Sequence, residues 1–79
     1  MERKVTVTYY GMIADKIGKN SEELILPAGE IQLRNFFEAK HPELSAFTYS
    51  VAVDLHYTAT LPSEVIPNKI DIMPPFAGG

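Results

Sequence analysis

Cysteine is absent from this 79-residue chain. That one absence excludes a disulfide staple, a thiolate metal site and a thiol nucleophile together. Any sulfur chemistry would need a sulfur that no encoded side chain supplies, because the thioethers of Met12 and Met73 are not reactive thiols. Long apolar runs are missing too: none approaches the ~18 residues of a membrane span. The N-terminus opens Glu2-Arg3-Lys4 before an alternating segment, not an apolar signal core, so a cytoplasmic location is the default expectation. Basic clusters are equally scarce. Seven Lys and Arg stand against ten Asp and Glu, for a net charge of −3, and no basic run exceeds Arg3-Lys4. Nucleic-acid binding therefore lacks its electrostatic footprint.

What is present fits one small folded domain. A chain of this length buries about 60 to 65% of its unfolded surface, enough for a single small core. Hydrophobic residues make up 46% of the chain and are spread along it, which separates it from disordered sequences. No internal repeat, linker or low-complexity stretch interrupts it.

Periodicity places the elements. In Lys4 to Tyr10, Val5, Val7 and Tyr9 alternate with Thr6, Thr8 and Tyr10, the period-2 signature of a strand that ends at Gly11. Ile13 and Ile17 are one helical turn apart and Gly18 follows as a stop, which predicts a short helix over 12–17. Leu24-Ile25-Leu26 before Pro27 and Gly29 reads as a second strand over 21–27, turning back on the first. Leu33, Phe36 and Phe37 recur at helical spacing, so one main amphipathic helix is expected from Ile31 to Lys40, closed by Pro42, although no Ser or Thr caps its start. Val51-Ala52-Val53 predicts a third strand, Asp54-Leu55-His56 a turn, and Tyr57 the start of a shorter strand. Residues 61–66 carry no clear period. Lys69 to Met73 alternates again and runs directly into Pro74-Pro75. Strand, strand, helix, strands is an α+β order: a mixed sheet of four to five strands with the main helix on one face. The domain is expected over 1–73 and a tail over 74–79.

The tail reads Pro74-Pro75-Phe76-Ala77-Gly78-Gly79. Two prolines fix φ near −65° and favour extended backbone, which directs the tail away from the sheet. Fully extended, its six residues reach at most roughly 20 Å, enough to cross a partner's rim and end in its cleft. Phe76 is a large apolar side chain suited to a partner's pocket. Gly78 and Gly79 lack Cβ, so their backbone passes a narrow channel and leaves the terminal carboxylate unhindered. At neutral pH that group is ionised and resists nucleophiles. Activation by ATP would turn it into an acyl adenylate, and attack by a persulfide from another protein would leave a thiocarboxylate at Gly79.

These residues resemble the MoaD/ThiS sulfur-carrier family of ubiquitin-like β-grasp proteins, and within it the small subunit of molybdopterin synthase. Members end in an apolar strand, Pro-Pro, an apolar residue, a small residue and Gly-Gly; here that is Ile70 to Met73 followed by Pro74 to Gly79. Val5 to Ala14 is similar to the family's first strand and short helix, and Val51 to Asp54 to its third strand and turn. Two positions depart from the pattern: Asp54 stands where the family has Asn, and Ile66-Pro67-Asn68 replaces Asp-Gly-Asp before the last strand. The resemblance implies a carrier, not an enzyme, with no bound cofactor. Its Gly79 would be adenylated with ATP by an E1-like enzyme (MoeB/ThiF-type), thiolated, and inserted into the large synthase subunit (MoaE-type). There it would donate sulfur for the molybdopterin dithiolene of the molybdenum cofactor.

The pleat then offers a docking surface. If Val5, Val7 and Tyr9 face the helix, Tyr10 points away; if Ile70 and Ile72 face it, so does Met73. In a β-grasp the first and last strands are neighbours, so Tyr10, Met73 and Phe76 would form one exposed apolar patch, with Tyr57 matching a family position of the same kind. Pro74, Pro75 and Ala77 complete the partner-binding set, and Gly78 and Gly79 the reactive end. No other residues stand out. His41 and His56 have no second ligand at metal spacing and read as solvated or turn histidines. Asp15, Glu22, Glu23 and Glu38 read as surface charge, and Asp71 as an outward residue paired with a Lys or Arg. Pro-Pro favours the molybdopterin carrier, while a carrier for thiazole synthesis or tRNA thiolation, a ubiquitin-like protein modifier joined through Gly79, and an inert interaction module all remain open.

Overall fold

A computed structural model describes residues 3–75. In chain order the elements are β1 Arg3–Tyr9, α1 Gly11–Ile17, β2 Ser21–Leu26, β3 Ile31–Gln32, α2 Leu33–Lys40, a 3-10 turn Pro42–Ala46, β4 Ser50–Val53, β5 His56–Tyr57, β6 Thr60–Leu61 and β7 Lys69–Met73. The five-stranded sheet has the order β2-β1-β7-β4-β5, and β3 pairs with β6 in a separate two-stranded ribbon. The expected α+β architecture is therefore present, with β7, the last strand, near the centre of the sheet. It lies parallel to β1 and antiparallel to β4.

The alternation in β1 sets this arrangement. Val5, Val7 and Tyr9 are buried while Lys4 and Thr6 are exposed, so one face of the strand seeks cover and the other does not. Register carries the pattern across: Val5 opposes Leu24, Val7 opposes Ile70 and Tyr9 opposes Ile72. Leu33 and Phe37 of α2 bury against this inner face, with Phe36 half-buried and edge-on to Phe37 at 5.1 Å. Burial of Phe37 alone stabilises the fold by about 3 kcal/mol. α1 adds Ile13 and ends where Gly18 takes φ 91° and returns its N–H to the Ala14 carbonyl at 2.8 Å, a left-handed stop that favours glycine.

Two boundaries differ from the sequence expectation. The main helix begins at Leu33, because Ile31 and Gln32 pair with Leu61 and Thr60. With no capping side chain at its start, the helix satisfies its first amide through Leu33 N–H donating to the Ala59 carbonyl at 3.0 Å. The same pairing gives Thr60 and Leu61 a strand that periodicity alone did not. Asp54 and Leu55 form the expected turn, both at positive φ, 47° and 71°. Asp54 Oδ1 accepts from the N–H groups of both Asn68 and Lys69, at 2.9 and 3.0 Å. In this way Asp54 shapes the entry into β7 at Asn68 and Lys69.

Arg3 was read only as part of a basic pair, yet it lies on the inner face and is 3% exposed. Nη1 donates to the carbonyls of Pro62 and Val65, and Nη2 to those of Pro27 and Gly29, at 2.7 to 2.9 Å. These charge-assisted bonds join two loops distant in sequence under the open end of β1.

Candidate functional site

Because β7 is bonded on both sides, its C-terminal end is a fixed base for Pro74 and Pro75, which follow it. Ile70 and Ile72 are fully buried on the inner face, so Lys69, Asp71 and Met73 point to the outer face. Register groups what lies beside them. Tyr10 follows the Tyr9–Ile72 pair and so stands beside Met73, which faces Ser50 on the other side; Asp71 lies between Thr8 and Ala52, and Ala52 opposes Tyr57.

The outer face thus brings together three of the expected partner-binding residues. Tyr57 is 71% exposed, Tyr10 is 41% exposed and Met73 is half-buried. Phe76, Ala77, Gly78 and Gly79 lie outside the described residues. Asp71 does point outward, but it is covered, not solvated: it is 3% exposed. The Tyr10 hydroxyl donates to its Oδ1 at 3.1 Å, and Lys69 Nζ lies 3.7 Å from its Oδ2. Burial, then the hydrogen bond to the Asp71 carboxylate, raises the Tyr10 phenol above its usual pKa. Tyr10 therefore has a structural bond as well as an exposed ring.

The departure point of the chain is built from residues whose role sequence reasoning missed. Tyr10 N–H donates to the Ile72 carbonyl at 3.1 Å, which brings Gly11 under Pro74. A Cβ on Gly11 would lie 3.4 Å from Pro74 Cγ, and its φ of +57° already favours glycine. Beside this contact a largely apolar groove of about 410 Å³ is lined by Met12, Ala46, Phe47, Thr48, Pro74 and Pro75. The one available sequence signal was a glycine directly after a strand, which was read simply as the strand's end.

A second polar cluster lies at the far edge of the sheet and corrects two readings. Glu22, taken as surface charge, opposes Val7 and so occupies the inner face with Leu24 and Leu26. Its Oε2 accepts from the Tyr9 hydroxyl at 2.5 Å and bonds His41 Nε2 at 2.7 Å, while Lys19 Nζ reaches Oε1 at 3.3 Å. Burial acts to raise the Glu22 carboxyl, but the hydrogen bonds from Tyr9, His41 and Lys19 outweigh it and bring it down to about 2. Burial and the Glu22 bond push the Tyr9 phenol well up. His41, read as solvated, is the helix-end member of this cluster and stands edge-on to the Tyr9 ring at 5.6 Å. The cluster ties the end of α2 to the edge strand. His56 is exposed, at the start of β5 and not within the turn, with Nδ1 3.0 Å from the Asp54 carbonyl oxygen.

Among the described residues no group of three or more His, Asp or Glu side chains is placed to hold a metal ion, and no helix is long and apolar enough to cross a membrane.

No protein-family model matches this chain, and no curated protein matches it at a significant level. Solved structures do. A candidate molybdopterin converting factor subunit 1 from Pyrococcus furiosus superposes with a TM-score of 0.69 over 94% of this chain and 99% of its own, at 19% identity. The HVO 2177 protein of Haloferax volcanii gives 0.67 over 99% of this chain and 88% of its own, at 14% identity. At these identities the likeness establishes the fold, a ubiquitin-like β-grasp.

Proposed function

We propose that this chain is the sulfur-carrier subunit of a molybdopterin synthase, a donor and not a catalyst. One observation carries the reading. β7, held between β1 and β4, runs without a break to Pro74, which is seated on Gly11, and the sequence from that fixed base is Pro75-Phe76-Ala77-Gly78-Gly79. A β-grasp domain has little use of its own for such an ending. A carrier requires it, because the reactive group must sit on a thin extension that another protein can enclose. The Pyrococcus furiosus neighbour, described as a molybdopterin converting factor subunit, supports this choice within the fold.

The chemistry follows from the missing cysteine. The Gly79 carboxylate attacks the α-phosphate of ATP on an E1-like adenylating enzyme and releases pyrophosphate. A persulfide then attacks the acyl carbon and expels AMP, leaving an acyl disulfide. A thiol cleaves that disulfide, taking one sulfur into a new disulfide and leaving the thiocarboxylate on Gly79. The loaded end enters the large synthase subunit, whose side chains carry out transfer to the pterin precursor. The outer-face residues Tyr10, Tyr57 and Met73, with Pro74 to Ala77, form the docking surface for both partners. The cytoplasm, where ATP and reduced thiols are available, is the compartment this scheme needs.

Intact-mass measurement tests the proposal. Incubation with ATP, the E1-like enzyme and a persulfide donor is expected to add the mass difference of one sulfur for one oxygen, and deletion of Gly79 to abolish it. Conjugate ladders on other proteins would instead identify a modifier. An unchanged mass, in a system that loads a control carrier, would identify an inert module.

A further inference from the structure

The β4 edge of the sheet is only partly covered. β5 covers β4 only at Ala52 and Val53, and Thr58 N–H adds one bond to the Val51 carbonyl at 3.1 Å. Beyond that point no strand among the described residues lies along this side of Tyr49 and Ser50. Tyr49 and Ser50 of this stretch line a groove of about 370 Å³ together with Val51, Tyr57, Thr58 and Arg34. A sheet edge with unpaired backbone groups is a template for an added strand.

Arg34 specifies what kind of strand. It sits in the first turn of α2, where the positive end of the helix dipole disfavours a cation and only its i,i+4 pair with Glu38 offsets that cost. Its guanidinium is held: Nε is 2.9 Å from Glu38 Oε2, and the group stacks over the Tyr49 ring at 4.7 Å. Tyr49 is fixed in turn by donating its hydroxyl to the same Glu38 oxygen at 2.7 Å. Among the described residues the bonding of Arg34 is confined to Nε, which leaves its Nη groups to take a carboxylate in the two-point geometry guanidinium favours.

We infer that this groove binds an extended acidic peptide segment, which pairs with the β4 edge and presents a carboxylate to Arg34. The inference does not rest on the sulfur-carrier reading. Titration of the full chain with the blocked peptide Thr-Val-Glu-Val-Thr, followed by amide NMR shifts, tests it. Saturable shifts are expected at Tyr49, Ser50, Val51 and Thr58, together with Arg34 Nε–H. Replacing the peptide's Glu by Gln is expected to weaken binding roughly tenfold, with no change in the protein. Arg34→Gln should do the same, and Arg34→Lys should restore only part, because ammonium keeps the charge without the fork. Equal binding of the two peptides, absent or scattered shifts, or the same shifts on raising protein concentration alone would each overturn the inference, the last by showing that a second copy fills the groove.

Discussion

The Tyr10 hydroxyl donates to Asp71 Oδ1 across 3.1 Å, which ties the residue after β1 to the middle of β7, three positions before Pro74. The bond gives Tyr10 two duties: its ring is part of the exposed face, and its hydroxyl satisfies a carboxylate that is almost fully covered. Tests of the proposed docking surface must separate these.

Tyr57 is the cleaner probe, since it is exposed and makes no side-chain hydrogen bond among the described residues. Tyr57→Glu is expected to change stability by less than about 0.5 kcal/mol and to weaken binding to the large synthase subunit roughly tenfold or more. Tyr10→Glu places a second carboxylate beside buried Asp71 and should cost about 1–3 kcal/mol of stability as well. Calorimetric binding and thermal melts distinguish the two variants; full-strength binding by folded Tyr57→Glu would remove the patch from the docking surface.

Gly11→Ala tests the base of the chain exit. The left-handed backbone and the close approach to Pro74 predict a cost of about 1–2 kcal/mol. For a domain of this size that lowers Tm by about 4–8 °C per kcal/mol. If Gly11 also orients the exit, the rate of sulfur loading falls even at a temperature where the variant is fully folded. An unchanged rate there would confine Gly11 to stability.

Glu22 makes the fold acid-sensitive over a defined window. Its folded pKa, about 2, lies below the ordinary value of 4.5, so its contribution is complete above about 4.5 and is lost as pH falls toward 2. The contribution is on the order of 2–3 kcal/mol. Glu22→Gln should be less stable at neutral pH and lose less stability across that acid window. Urea unfolding at a series of pH values measures both slopes, and parallel slopes would show that other carboxylates carry the acid response.

Leu55 holds φ at 71° in the β4–β5 turn with 72% of its surface exposed, so it bears a left-handed backbone without burying its side chain. Leu55→Gly is expected to stabilise the fold by about 0.5–1 kcal/mol, the relief of strain exceeding the added entropy of the unfolded chain. A lower Tm for the variant would show that the exposed leucine makes a contribution the turn geometry does not reveal.

Short-range pattern was enough for the elements that alternate or recur cleanly. Val5, Val7 and Tyr9 marked β1, Ile70 and Ile72 marked β7, and Leu33 with Phe37 marked α2, because each pattern matches one backbone period and one buried face. Local spacing assigns Ile31 and Gln32 to the helix because their strand partners, Leu61 and Thr60, are distant in sequence and carry no period of their own. The burial of Glu22 and Arg3 escapes local pattern for a related reason. Both continue an inward alternation, Glu22 with Leu24 and Leu26, Arg3 with Val5 and Val7, but the charge of Glu22 argues for solvent and Arg3 reads only as part of a basic pair. Only partners from other elements make burial tolerable: Tyr9 and His41 for Glu22, four loop carbonyls for Arg3.

The sequence by itself determined the chemistry open to this chain. The chain carries no thiol, and Pro74-Pro75-Phe76-Ala77-Gly78-Gly79 follows its last apolar alternation, two features of covalent structure alone on which the proposed carrier role rests. Tertiary structure decided the frame around that end: that Pro74 rests on Gly11, that Asp71 lies under the Tyr10 hydroxyl, and that Tyr57 shares their face. Those relations depend on the parallel pairing of β1 with β7, residues some sixty positions apart, and strand register over such a separation is fixed by the packed core and not by any local run of residues.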